Sequence, residues 1–343
     1  MKILYAIQGT GNGHLSRAID VIPALKKIGQ DDVLVSGQSN QLENPISNKY
    51  KRKRNTFRTN SRGGISYFKT FIFSSFITFV KEICLFPVRD YDLVVSDFEP
   101  VSAWSSKIFG VKCIEVSHQS AILMKNSPRP SLRYPFSQWI LRNYCPSEYK
   151  LGIHFSNYNQ DIFTPVIRSS VRNLKIRDDN FFLVYLPGYI DEKVISFLSK
   201  FKVNWKLYSK YTRVPYRVQN VIVKPIDNKN FLNDLGACSG VFCGAGFELP
   251  SEVMYLQKKL VVMPLKGQFE QICNAHCLKL LGISVVNSLN SSESLSIQRW
   301  IDEPNCIVEL NYKDCTDAIA QRINFIYQRS LFTEHQLSKL NST

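Results

Sequence analysis

In the second half of the chain, residues suited to holding an anion and a sugar gather at two glycine turns. The first is Cys243-Gly244-Ala245-Gly246-Phe247-Glu248-Leu249-Pro250-Ser251-Glu252, and the second is Pro264-Leu265-Lys266-Gly267-Gln268-Phe269-Glu270-Gln271. A strand over 240–243 is expected to run into the Gly244 and Gly246 turn. The helix that follows opens at Pro250, a residue suited to a first helical turn. Such a helix start offers unpaired backbone N–H groups and a positive dipole end, so it attracts phosphate. Ser251 and Glu252 fall in its first turn, where a carboxylate can reach a sugar hydroxyl. A second strand over 259–263, a glycine loop and a second helix then bring Gln268, Glu270 and Gln271 to another helix start. Two units of this kind suit a nucleotide-sugar pocket. The plainer reading is an ordinary α/β unit whose glycines only turn the chain.

A third glycine loop lies near the N-terminus, Gln8-Gly9-Thr10-Gly11-Asn12-Gly13-His14. It follows an expected strand and opens a helix, as a dinucleotide fingerprint does. His14, however, stands where the third glycine belongs, and the second strand ends in Ser36-Gly37-Gln38 with no acidic residue for a ribose. A nicotinamide or flavin site is therefore disfavoured. The backbone at Gly11, Asn12 and Gly13 gives a ligand close approach. His14 supplies an imidazole able to take a proton from an attacking hydroxyl near neutral pH, unless it only caps or packs. Asp97 and Glu99 follow the strand ending at Ser96, and His118 follows the strand ending at Val116. Residues just past the carboxyl ends of parallel strands line the crevice. A carboxylate there orients a histidine, binds acceptor hydroxyls or caps a helix, and His118 is the second candidate base. His154 reads as structural, and His276 and His335 as helix-surface residues.

The elements that position these residues alternate. Strands are expected over 2–7, 32–36, 93–96, 113–116 and 151–155, with helices over 15–28 and 102–109 between them. The alternation restarts at 181–186 and continues through 194–201, 205–208, 221–224, 231–235 and 240–243. Alternating strands and helices imply parallel sheets with helices on both faces, an α/β architecture of two Rossmann-like doubly wound domains facing a cleft. The segment 164–180 is polar and basic and reads as a connection. It divides the chain into domains over 1–165 and 181–343 with a linker over 166–180. A last helix, about 314–329, packs against one or both.

Composition bounds the class. At 343 residues and 44% apolar content the chain fills two domains. The nine cysteines include no Cys-x-x-Cys pair, and Cys273 and Cys277 have no His or Cys cluster beside them to complete a zinc site. The thiols read as reduced and the protein as cytoplasmic. The apolar start is too short for a signal peptide, and no run reaches the ~18 residues of a spanning helix. The net charge is +15, and residues 1–180 hold 25 Lys and Arg against 14 Asp and Glu, which places +11 of it in the first half. Much of the excess lies in Lys49-Tyr50-Lys51-Arg52-Lys53-Arg54, with Arg58 and Arg62. A Phe-rich segment over 67–81 follows, carrying Phe71, Phe73, Phe76 and Phe79. Such a pairing fits an anionic membrane surface, and it also fits a solvated loop before a core helix. Nucleic acid is disfavoured, because no nucleic-acid fold motif accompanies the patch.

Taken together, Gly9-Thr10-Gly11-Asn12-Gly13-His14, Val166-Ile167-Arg168 and the block from Gly244 to Gln271 resemble the GT-B glycosyltransferases. The sequence is similar to the family that adds N-acetylglucosamine to the lipid-linked peptidoglycan precursor, and to its uncharacterised bacterial relatives. In that family a Gly-Gly-Thr-Gly-Gly-His loop, an Asn-Pro-Val-Arg junction, a Ser-Glu pair and a Gln-Gln pair stand where Gly9 to His14, Pro165 to Arg168, Ser251-Glu252 and Glu270-Gln271 stand here. Asp97-Phe98-Glu99-Pro100 and Ser117-His118-Gln119 look closer to the uncharacterised relatives. The phosphate loop Gly-Gly-Ser-Gln-Gly-Ala is replaced by Tyr185-Leu186-Pro187-Gly188-Tyr189, which leaves the phosphate contacts open.

The resemblance implies an acceptor-side first half and a nucleotide-sugar donor half. It implies transfer from a nucleotide-diphosphate sugar, UDP by preference, to a hydroxyl on a glycan or lipid-linked acceptor, with inversion. Neither metal nor cofactor is expected, since the resemblance implies metal-independent sugar transfer. Arg168 would pair with the diphosphate, or else form a linker salt bridge. Docking on the inner face of the plasma membrane is a further expectation. The rival readings are a nucleotide-sugar epimerase on the same fold and a non-catalytic glycan- or membrane-binding protein.

Overall fold

The computed structural model describes residues 1–9, 12–37, 49–52, 74–131, 134–304, 310 and 312–340. The basic residues Lys53, Arg54, Arg58 and Arg62, together with Phe71, Phe73 and Gly11, lie outside the described residues, as do the side chains of Asn12, Lys51, Arg52, Phe76 and His335.

The first sheet has seven strands. They are β1 (Lys2–Gln8), β2 (Gln30–Ser36), β3 (Tyr50–Arg52), β4 (Leu93–Asp97), β5 (Lys112–Ser117), β6 (Tyr149–Ile153) and β7 (Ile162–Phe163), in spatial order β3-β2-β1-β4-β5-β6-β7. Every pairing in it is parallel. β1 is buried along almost its whole length and reads as a continuous apolar run, as a strand covered on both faces must. The second sheet holds β8 (Phe182–Tyr185), β9 (Trp205–Ser209), β10 (Tyr216–Val218), β11 (Val221–Pro225), β12 (Gly240–Gly244), β13 (Lys259–Met263) and β14 (Ser284–Val285), ordered β10-β11-β9-β8-β12-β13-β14. Only the β10–β11 pair is antiparallel. In both sheets the chain starts in the middle and reverses direction of winding, between β1 and β4 and between β8 and β12. These switch points open a crevice at the carboxyl ends of the strands.

Four helices carry the site. α1 (Asn12–Lys26) leaves β1, and a short helix (His118–Leu123) leaves β5. Two others, Glu248–Tyr255 and Phe269–Leu280, leave β12 and β13. The Glu248–Tyr255 helix begins two residues earlier than the position of Pro250 suggests. Its first N–H groups have no intrahelical partner, so a proline at the third position costs no hydrogen bond. Glu252 therefore sits in the second turn, not the first.

The connection between the sheets is less polar in structure than in sequence. Val166, Ile167 and Val171 are buried within one apolar core that runs from the first sheet to the second and takes in Phe155 and Phe247. These residues seat the start of the segment, while residues 175–180 face water. The final helix, Thr316–Leu340, buries Ile319, Ala320 and Ile323 in that core and joins α1 through Lys27 and Asp317 at 2.6 Å.

In the helix Ser74–Leu85, Phe79 packs against the core while Ile77, Val80 and Leu85 face solvent. Between β5 and β6 lies a further helix, Pro135–Tyr144, with Pro135 in its first turn and Phe136 and Trp139 exposed. Among the described residues no helix is long and apolar enough to cross a membrane.

Candidate active site

The carboxyl ends of the two sheets face each other across a cavity of about 350 Å³, within the size range of small-molecule sites. His14, Arg17, Gln119 and Arg168 line it from one side. Gly244, Gly246, Glu248, Glu252, Glu270 and Gln271 line it from the other.

On the first wall, α1 places His14 and Arg17 one turn apart, so both face β4. His14 Nδ1 lies 2.8 Å from Asp97 Oδ1, and Arg17 Nη2 donates to both Asp97 oxygens at 2.7 and 2.8 Å. Asp97 is completely buried. Burial works against its charge, but the Arg17 guanidinium and His14 hold its carboxyl below the usual range. A carboxylate only accepts, so His14 Nδ1 carries the proton toward Asp97 and the lone pair resides on Nε2.

Arg17 also bonds Glu248, the first residue of its helix on the opposite wall. Burial pushes the Glu248 carboxyl up to about 7, with Arg17 and His14 opposing the rise. Gly13 makes room for this contact, since a Cβ there would meet Glu248 Cγ at 2.6 Å. Glu248 and Arg17 escaped the sequence reading. The signal available was an arginine one helical turn after His14 and an acid at the helix start where only backbone was considered.

Arg168 forms a two-pronged pair with Glu252, Nε to Oε1 at 2.5 Å and Nη2 to Oε2 at 2.8 Å. The two residues expected to hold diphosphate and ribose thus hold each other. The neighbouring carboxylate raises the Arg168 pKa against the effect of burial. Gln271 accepts from Leu265 N at 2.9 Å, and Glu270 meets Gln119.

Four expected site residues take other roles. His118 is buried, and burial lowers its pKa. Its Nδ1 lies 2.9 Å from Ile153 O and its Nε2 2.6 Å from Asn274 Oδ1, while its ring stacks on Phe247 at 3.9 Å. It lines the cavity, and with both nitrogens engaged it bridges the two halves. Glu99 caps the helix Pro100–Phe109, accepting from Val101 N and Ser102 N, and is completely buried. The capping role considered for Asp97 falls to Glu99. Ser251 Oγ donates to Phe247 O within its own helix at 2.8 Å, away from the cavity. Gln268 precedes the Phe269–Leu280 helix and does not line the cavity.

The family model for glycosyl transferase family 1 matches residues 1–302. No curated protein matches the chain in sequence. Solved structures do match in fold. The chain is similar to a UDP-N-acetylglucosamine 2-epimerase (TM-score 0.58, 12% identity, covering 96% of this chain and 97% of that one). It is also similar to a UDP-glucosyltransferase from Polygonum tinctorium, capable of glucosylating indoxyl (TM-score 0.56, 11% identity, 96% and 93% covered). A third match is MurG of Acinetobacter baumannii (TM-score 0.55, 12% identity, 96% and 100% covered). At these identities the likeness is one of fold, the GT-B arrangement of two Rossmann-like halves. The family match is one of sequence and runs through both sheets, so the chain belongs to glycosyl transferase family 1.

Proposed function

We propose that the protein transfers a sugar from a nucleotide-diphosphate donor, a UDP-sugar, to a hydroxyl acceptor, with inversion at the anomeric carbon and without a metal ion. The observation that carries the reading is the His14–Asp97 pair on the cavity wall. Asp97 fixes the tautomer that leaves Nε2 as a base, and the imidazolium formed on deprotonating an acceptor hydroxyl is stabilised by the same carboxylate. Opposite it, the Glu248–Tyr255 helix start and the backbone at Gly244 and Gly246 stabilise the departing diphosphate, with Arg168 as the cation. Donor binding then requires Arg168 and Glu252 to exchange partners, the arginine turning to phosphate and the carboxylate to ribose hydroxyls. The acceptor is a glycan or lipid-linked sugar. The basic first half draws the protein to an anionic membrane face. UDP as the base-bearing half rests on the two UDP-named fold neighbours.

An epimerase on this fold needs no acceptor but needs further acid or base groups at the sugar. The engaged nitrogens of His118 argue against it supplying one. Incubation with UDP-sugars, with and without a panel of hydroxyl acceptors, separates the readings. Acceptor-dependent UDP release is expected, reduced about a hundredfold or more in His14→Ala, the scale of general-base catalysis. An epimeric UDP-sugar formed without acceptor would overturn the transferase reading.

A further inference from the structure

We infer that Gln119 reads the transferred sugar from the first wall of the cleft, and that Gln119 and Glu270 together select uncharged sugars presenting hydroxyl or amide N–H groups. The inference rests on the nucleotide-sugar reading above. Gln119 is the second residue of the His118–Leu123 helix, whose start is fixed by Ser117 accepting from Ser120 N. It is only 7% exposed yet lines the cavity.

Its Nε2 donates across the cleft to Glu270 Oε2 at 3.2 Å. A carboxylate accepts only, so the amide nitrogen must face it and the orientation of the carboxamide is determined. The amide oxygen Oε1 is then left buried with no hydrogen-bond partner among the described residues. A buried carbonyl without a donor is costly, and here it belongs to a side chain on the wall of a ligand cavity.

The corner therefore combines a carboxylate with an unfilled amide oxygen, and what satisfies both is a donor. Sugar hydroxyls and the N–H of an acylated amino group qualify. A uronate would set its own carboxylate against Glu270. Gln271 complements the pair, since its amide oxygen is spent on Leu265 N and its amide hydrogens remain as donors. One acceptor comes from each half of the molecule, so the corner is complete only when the halves are apposed as they are here.

The test is calorimetry of the full chain with UDP, UDP-glucose, UDP-N-acetylglucosamine and UDP-glucuronate, for wild type and Gln119→Leu. The inference predicts that Gln119→Leu binds UDP within about twofold of wild type and binds the tightest UDP-sugar about tenfold more weakly, the scale of one hydrogen bond. It also predicts that UDP-glucuronate is the weakest of the three sugars for wild type. Unchanged UDP-sugar affinity, equal weakening of UDP and UDP-sugar, or preference for UDP-glucuronate would each overturn it. Should Gln119→Leu fail to fold, Gln119→Met keeps the chain length and removes only the amide. Failure of UDP itself to bind would overturn the nucleotide-sugar reading and this inference with it, whereas normal UDP binding with an indifferent Gln119 variant overturns this inference alone.

Discussion

At the scale of single residues, the cleft is governed by one cation serving two carboxylates. Arg17 holds Asp97 on its own half and Glu248 on the other, and both contacts are at least partly buried. Only Asp97 is held in its charged form below the ordinary range; Glu248 is raised to about 7. The sign for stability follows from linkage. A carboxyl whose folded pKa is raised binds its proton more tightly in the native state, so its contribution is complete below the unfolded pKa and is lost as pH rises through the folded value. Wild type is therefore expected to lose stability relative to Glu248→Gln between roughly pH 5 and pH 8. Denaturant midpoints of the two proteins across that range check it, and a constant difference would place the Glu248 titration elsewhere. Arg168 makes the complementary case. Removing Glu252 leaves a largely buried guanidinium without its two-pronged partner, so Glu252→Ala should lower the thermal midpoint more than the isosteric Glu252→Gln, which keeps an amide oxygen as acceptor.

At the scale of elements, the alternation of apolar runs and amphipathic stretches made the two parallel sheets legible, because strands buried on both faces have few polar interruptions. His14, Glu252, Glu270 and Gln271 are found near the cavity in the strand–loop–helix units that the pattern singles out, whereas Arg168 is singled out by the resemblance. What sequence could not give was direction. Asp97 ends β4 and Glu99 lies two residues further on, so a continuing strand would turn both side chains to one face, yet one meets His14 and the other caps a helix. Only the backbone path through Phe98, at φ 57°, decides which. Likewise the burial of His118 depends on Phe247 and Asn274, which come from the other half of the chain. The short helix carrying His118 and Gln119 depends on close packing against β6, where a Cβ on Gly152 would lie 2.7 Å from Ala121 Cβ and 3.0 Å from its Cα. Backbone cannot yield as a side chain tip does. Gly152→Ala should cost about 1–3 kcal/mol by overpacking, read as a shift in denaturant midpoint. It should also weaken UDP-sugar binding more than UDP binding, because the displaced element carries Gln119.

At the scale of the whole molecule, two sheets share one apolar core through Phe155, Val171 and Phe247, and the terminal helix returns to α1. The halves are thereby joined beside the cleft, with Phe247 itself lining the cavity. The positive charge concentrates in the first half, and exposed Ile77, Val80, Leu85, Phe136 and Trp139 belong to the same half. If the acceptor is held on a membrane, flotation with anionic vesicles at low salt should exceed that with neutral vesicles and fall as salt rises. Changing Lys51, Arg52, Lys53 and Arg54 to Gln should reduce it, and equal flotation of both proteins would leave the basic run a solvated loop. The central claim, that the cleft holds a nucleotide-diphosphate sugar with His14 as base, is tested most directly by titrating UDP into wild type, Glu252→Ala and His14→Ala in a calorimeter. The account predicts one site, weakened about ten- to a hundredfold in Glu252→Ala by loss of a charge-assisted hydrogen bond, and nearly unchanged in His14→Ala. Absence of binding to wild type, or equal affinity in wild type and Glu252→Ala, would contradict it.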